Sequence, residues 1–126
     1  MADMTPHMVT GSRVLVTSMV LAIVVASLMP EGFASVIGIT TAMENVGHVF
    51  AYGALAFVVV VLQQRYEPAS AAVVVALLTL MGLGLEWIQP MFDRMPDWID
   101  VLSNALGAAL GALVANLLLR GIGPVG

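Results

Sequence analysis

The chain of 126 residues has no cysteine and no lysine, and only 10% of its residues are charged. Without cysteine there is no disulfide framework, no thiol nucleophile and no thiolate metal ligand, and cysteine says nothing about the redox compartment. Four arginines stand against eight acidic residues, for a formal charge of −4. That balance leaves no basic surface for phosphate backbones, so a nucleic-acid-binding module is excluded. Charge is also too scarce for a soluble domain, where roughly a quarter of the residues carry it.

What is abundant is apolar. Hydrophobic residues make up 60% of the chain, and its mean hydropathy is +1.02. A chain this short cannot bury that much apolar surface in its own interior. A soluble monomer and a disordered tail are both excluded, and the solvent that suits the composition is a bilayer. The sequence predicts an all-α fold, a polytopic membrane bundle of four transmembrane helices forming one membrane domain over residues 1–126. A spanning helix needs about 20 mostly apolar residues, and a helix satisfies its own backbone in lipid. Four runs qualify, at about 13–29, 42–62, 69–88 and 98–119. The first follows Arg13 and precedes small residues, as a signal peptide would, but it outlasts the roughly 7–15 apolar residues of such a signal and is read as a retained span.

Local signals mark the ends. Thr41-Ala42-Met43-Glu44 has the pattern of a capping box with Thr41 at the N-cap. Pro68 suits the first turn of the third span, Asp97 and Asp100 open the fourth, and Gly121 is expected to stop it. With four spans, Arg13, Arg65 and Arg120 fall on one side and Arg94 on the other. The positive-inside rule then puts both termini in the cytoplasm. Trp87 and Trp98 flank the third connection, as interfacial aromatics do.

This orientation gathers polar residues at the outer face: Glu31, Glu44, His48, Glu86, Gln89, Asp93, Arg94, Asp97, Asp100 and Asn104. Glu44, His48 and Tyr52 are spaced four apart and share a helix face. Glu86 and Gln89 share another, and Asp97, Asp100 and Asn104 follow the same logic on the fourth span, continued by Gly107 and Gly111. Those two glycines form a GxxxG pair, which lets a second helix approach closely. Gly47, Ala51 and Ala54 offer a small-residue stripe on the second span, so the second and fourth spans are expected to pack tightly and bring His48 near Asp100 and Asn104. Each residue also has a plainer role. Glu44 can close the capping box, Asp97 and Asp100 can cap a helix and complement its dipole, and Tyr52 can sit as an interfacial aromatic. His48 and Asn104 can simply pack, and Arg94 can neutralise its acidic neighbours. Glu86 is the hardest to explain this way, because an ionisable group at the end of an apolar run needs a partner; His48 and Arg94 are the candidates.

Taken in order, these residues resemble a known family. Glu44-Asn45-Val46-Gly47-His48 followed by Tyr52 resembles the acid-Lys-x-x-His…Tyr motif of the VanZ-like membrane proteins. Glu86-Trp87-Ile88-Gln89 resembles that family's Glu-x-x-Gln, and Arg94, Asp97, Asp100, Asn104, Gly107 and Gly111 resemble its Arg…Asp-x-x-Asp-x-x-x-Asn-x-x-Gly-x-x-x-Gly tail. The similarity covers about residues 40–115 and departs at Asn45, where the family often has Lys. The resemblance implies a small integral protein of the bacterial inner membrane, in a family named from a member associated with resistance to the glycopeptide teicoplanin.

Three functions fit these residues. In the first, Glu44, His48, Tyr52, Glu86, Gln89, Arg94, Asp97, Asp100 and Asn104 bind a lipid-linked or glycopeptide-type envelope ligand. In the second, the protein is a hydrolase or transferase acting on a lipid head group, with His48 and Glu86 as an acid-base pair and Asp100 or Asp97 orienting the histidine. In the third, the cluster holds helices together in an assembly, which a homo-oligomer would suit. The expected partners are membrane lipid and a lipid-linked precursor. No cofactor is expected; a divalent metal on His48, Glu86 and an aspartate is the weaker alternative.

Overall fold

The computed structural model describes residues 5–63 and 67–122. Arg65, used above for orientation, lies outside the described residues, as does the side chain of Glu31. The described residues are helical throughout, with turns between helices and no strand. The helices are α1 (Pro6–Ser27), α2 (Glu31–Val36), α3 (Thr41–Gln63), α4 (Pro68–Ile88) and α5 (Trp98–Ile122), with a 3₁₀ turn (Gln89–Phe92) after α4. Four of these, all but α2, are long and apolar enough to cross a membrane.

The ends follow local chemistry, with some differences from expectation. α1 begins well before Arg13, because the Thr5 hydroxyl accepts the Met8 amide at 3.3 Å and Pro6 takes the first turn. α3 is capped by Thr40 rather than Thr41: the Thr40 hydroxyl accepts the Met43 N–H at 3.2 Å. That shift places Glu44 one residue too far along to close a capping box, and its carboxylate is used elsewhere. Pro68 opens α4 as predicted. Asp97 caps α5, its Oδ1 accepting the Ile99 N–H at 2.9 Å. Gly121 does not stop α5, which continues to Ile122. The six-residue α2 has no counterpart among the predicted elements.

α3 and α5 share the most extensive contact, and α4 packs against α5. The small-residue logic of the GxxxG pair holds, but its partner stripe differs. A side chain at Gly107 would run into the Val49 carbonyl, and one at Gly111 into the Gly53 carbonyl. The partner stripe on α3 is therefore Val49 and Gly53, four apart like the glycines they face. Gly47 has open space around it, and Ala54 is exposed. Tyr52, Leu55, Ala56 and Val60 of α3 meet Ala108, Ala112 and Ala115 of α5 and Val74, Leu78 and Leu85 of α4 in the buried core.

α1 is different. It buries only Ile23 and Ser27 and lies mainly along α3. Its Val14, Leu15, Leu21 and Val25 are exposed, as are Leu102, Leu106, Leu110, Leu113 and Leu117 of α5. In water such surfaces would be a liability; in a bilayer they face chains as apolar as themselves. Trp87 and Trp98 are also exposed, beside the connection from α4 to α5, where an aromatic belt would hold them.

Candidate functional site

The C-terminus of α1, the N-terminus of α3, the C-terminus of α4 and the N-terminus of α5 share one end of the bundle, and polar side chains join them. On α3, α4 and α5 these residues fall in two layers one turn apart. His48, Glu86 and Asp100 form the first layer, nearer the end. Tyr52, Gly82 and Asn104 form the second, each four residues along its helix from its partner in the first.

In the first layer, the His48 Nε2 lies 3.7 Å from the Asp100 Oδ1, with both side chains largely buried. Glu86 is buried, and its Oε2 accepts the backbone N–H of Asp97 at 2.7 Å. The expected partners of Glu86, His48 and Arg94, act on it as nearby charges, while their ion-pair contacts are with Asp100 and Glu44. In the second layer, Gly82 makes room: a side chain there would lie 2.7 Å from the Asn104 Nδ2 and 3.2 Å from the Tyr52 hydroxyl. The Tyr52 hydroxyl and the Asn104 Oδ1 are buried with no hydrogen-bond partner among the described residues. Below them the core is apolar, with Leu55, Leu78 and Ala108. Asn104 thus meets Tyr52 across Gly82, one turn beyond the His48–Asp100 pair.

A second group of contacts ties α1 to the bundle. Gln89, almost wholly buried, donates from Nε2 to the Ser27 carbonyl at 3.1 Å. Arg94 donates from Nη1 to the Met29 carbonyl at 3.2 Å and from Nη2 to the Glu44 Oε1 at 3.4 Å. The last carbonyls of a helix have no partner within it and carry the negative end of its dipole. Gln89 therefore caps α1 from another part of the chain, and Arg94 holds the main chain two residues beyond the helix end. Sequence reasoning missed this contribution of α1, because it is made by main-chain carbonyls that residue identity does not reveal.

Between α1, α2 and α3 lies a cavity of about 260 Å³. Its wall is mostly apolar, including Ile23, Ala26 and Met29 from the α1 side and Ile39, Met43 and Ala51 around α3. Its polar lining comes from Ser27, Glu44, His48, Tyr52 and Arg94. The nine predicted site residues are thus divided. Glu44, His48, Tyr52 and Arg94 line the cavity; Asp100, Glu86 and Asn104 stand behind them in the bundle; Gln89 and Asp97 hold the helix ends. Asn45 is half-buried outside the lining, with its Oδ1 unpartnered among the described residues. Among the described residues, no three His, Asp or Glu side chains are grouped as a metal site.

This order of residues agrees with a comparison over nearly the whole chain: residues 5–119 match VanZ/LLP1. The chain belongs to the VanZ/LLP1 family. The match reaches beyond residues 40–115, where the motifs lie, and takes in α1. The VanZ/LLP1 protein is therefore a multi-pass membrane protein, with four candidate spanning helices among the described residues. No curated protein and no solved structure matches it.

Proposed function

We propose that this VanZ/LLP1 protein binds an envelope amphiphile of the bacterial inner membrane, with Glu44, His48, Tyr52 and Arg94 around its polar part and the seam between α1 and α3 around its chain. The observation that supports this is the cavity, whose mostly apolar lining is joined by the polar side chains of Ser27, Glu44, His48, Tyr52 and Arg94. From Glu44 to Tyr52 the lined face of α3 extends about 12 Å at 1.5 Å per residue. That is a sizeable part of a hydrocarbon core about 30 Å thick, the depth at which a lipid's head group gives way to its chain. Drug-sized ligands occupy about 300–1,000 Å³, so 260 Å³ suits a head group with the start of a chain. It is too small for a whole glycopeptide. An effect on teicoplanin sensitivity would then run through the envelope lipid that the protein handles.

Gly47 allows a direct test. It lines the cavity and has open space around it, so Gly47→Leu fills the cavity without meeting protein atoms at the first added carbon. Native mass spectrometry of gently extracted protein should find a lipid adduct on the wild type and at least a fivefold loss of it in Gly47→Leu. An adduct equally abundant in both proteins would mean that lipid binds elsewhere.

One observation favours a second reading, a hydrolase. His48 faces the cavity with the Asp100 carboxylate behind it, the arrangement in which a carboxylate orients a histidine as general base. The pair would be His48 and Asp100 rather than His48 and Glu86. A bound lipid recovered intact after prolonged incubation would count against this reading and leave the binding one standing.

A further inference from the structure

We infer that the head group taken by this cavity carries an ammonium, so that the ligand is an amine-bearing membrane lipid rather than an anionic one; this rests on the binding reading above. What decides between the two is which charges are free to meet a ligand. Among the described residues Arg94 is the one arginine at this end of the bundle, and it is already committed. Its side chain is 7% exposed, and its two terminal nitrogens are engaged by the Met29 carbonyl and the Glu44 carboxylate. Glu44 is the more accessible member of that pair, at 28% exposed, and it lines the cavity. Beside it is His48, backed at 3.7 Å by Asp100, with Glu86 buried in the same layer. An anionic group entering here would meet carboxylates in front and behind, in surroundings that screen charge poorly. An ammonium would find the Glu44 carboxylate in front and the Asp100 carboxylate behind His48. Tyr52 lines the same wall with its ring, while its buried hydroxyl faces Gly82 of α4 behind the cavity.

The chain is as necessary as the amine. Ile23, Ala26 and Met29 form a wall that a small soluble amine would leave uncovered. α1, which buries so little against the bundle, leaves the seam reachable from the bilayer.

The test compares two lipids that share a phosphate and differ in the amine. The protein is reconstituted in nanodiscs of equal parts phosphatidylethanolamine and phosphatidylglycerol, released into the gas phase, and the retained lipids are counted by native mass spectrometry. The wild type should retain the ethanolamine lipid about fivefold over the glycerol lipid, the factor that about 1 kcal/mol gives at 25 °C. Glu44→Gln should bring the ratio near one, and Glu44→Asp should keep most of the preference. Free ethanolamine at millimolar concentration should leave the adduct in place; displacement by it would overturn the requirement for a chain. Preference for the glycerol lipid, or no preference in the wild type, would overturn the ammonium assignment whether or not the variants fold. Gly47→Leu separates the two levels. If it abolishes retention while the wild type shows no head-group preference, only the ammonium assignment fails. If it leaves retention unchanged, the cavity is not the site and both readings fail.

Discussion

At the scale of single residues, Gly111 shows how closely α3 and α5 approach. Its α-carbon faces the Gly53 carbonyl, and no rotamer change relieves a contact between a β-carbon and a backbone oxygen. Gly111→Ala must therefore push the helices apart or bend one of them. Overpacking of this kind costs about 1–3 kcal/mol, and the midpoint of thermal unfolding in detergent should fall by roughly 5–10 °C. Gly121→Ala, with open space around it, should leave the midpoint unchanged. Equal midpoints for the two variants would show that the helices separate easily and that close approach contributes little. The pairing of these helices was legible in the sequence, because Gly107 and Gly111 form a recognisable pattern. The matching stripe was not. Gly47, Ala51 and Ala54 are small, but Val49 and Gly53 make the contact, because a valine can offer its backbone to a neighbour while its side chain lies to one side.

At the scale of helices, α1 was the least legible. Its apolar run identified a span, and nothing in its side chains indicated a role at the site. Its part is to offer the Ser27 carbonyl to Gln89 and an apolar wall to the cavity, with the Met29 carbonyl just beyond it held by Arg94. The short α2 was hidden for a related reason, since six residues between Pro30 and Gly38 carry too little periodicity to declare a helix. The polar ends of α3, α4 and α5 were legible because ionisable residues are rare in this chain and their spacing put them on shared faces. If Arg94 tethers α1, Arg94→Met should loosen it, since the Met29 carbonyl loses its donor and Glu44 its counter-charge. Hydrogen bonds to charged groups contribute about 1.5–3 kcal/mol, enough for roughly a tenfold change in opening. The absence of native cysteine makes this measurable. Ile23, 7% exposed on the cavity side of α1, can be replaced by a single cysteine and its labelling by a thiol reagent timed. Labelling should be about tenfold faster when Arg94→Met is added. An unchanged rate would mean that apolar contact with α3 alone holds α1.

At the scale of the whole molecule, the question is which side of the membrane the site faces. Arg94, at the site end, is buried and engaged by Glu44 and the Met29 carbonyl, so it is a poor determinant of topology. Arg13 and Arg120 lie toward the opposite end of the bundle and are exposed. With Arg94 set aside, the positive-inside rule applied to Arg13 and Arg120 predicts that the site end faces the outer surface. That is also where an envelope ligand would be met. Single cysteines can decide the matter in intact cells. Met91, 82% exposed in the turn after α4, marks the site end, and Gly121, near the end of α5 with open space around it, marks the other. A membrane-impermeant maleimide added outside should label Met91→Cys and spare Gly121→Cys until the cells are opened. The reverse pattern would turn the cavity toward the cytoplasm. The ligand would then have to be a lipid of the inner leaflet, and a direct encounter with a glycopeptide outside the cell would be impossible for geometric reasons alone.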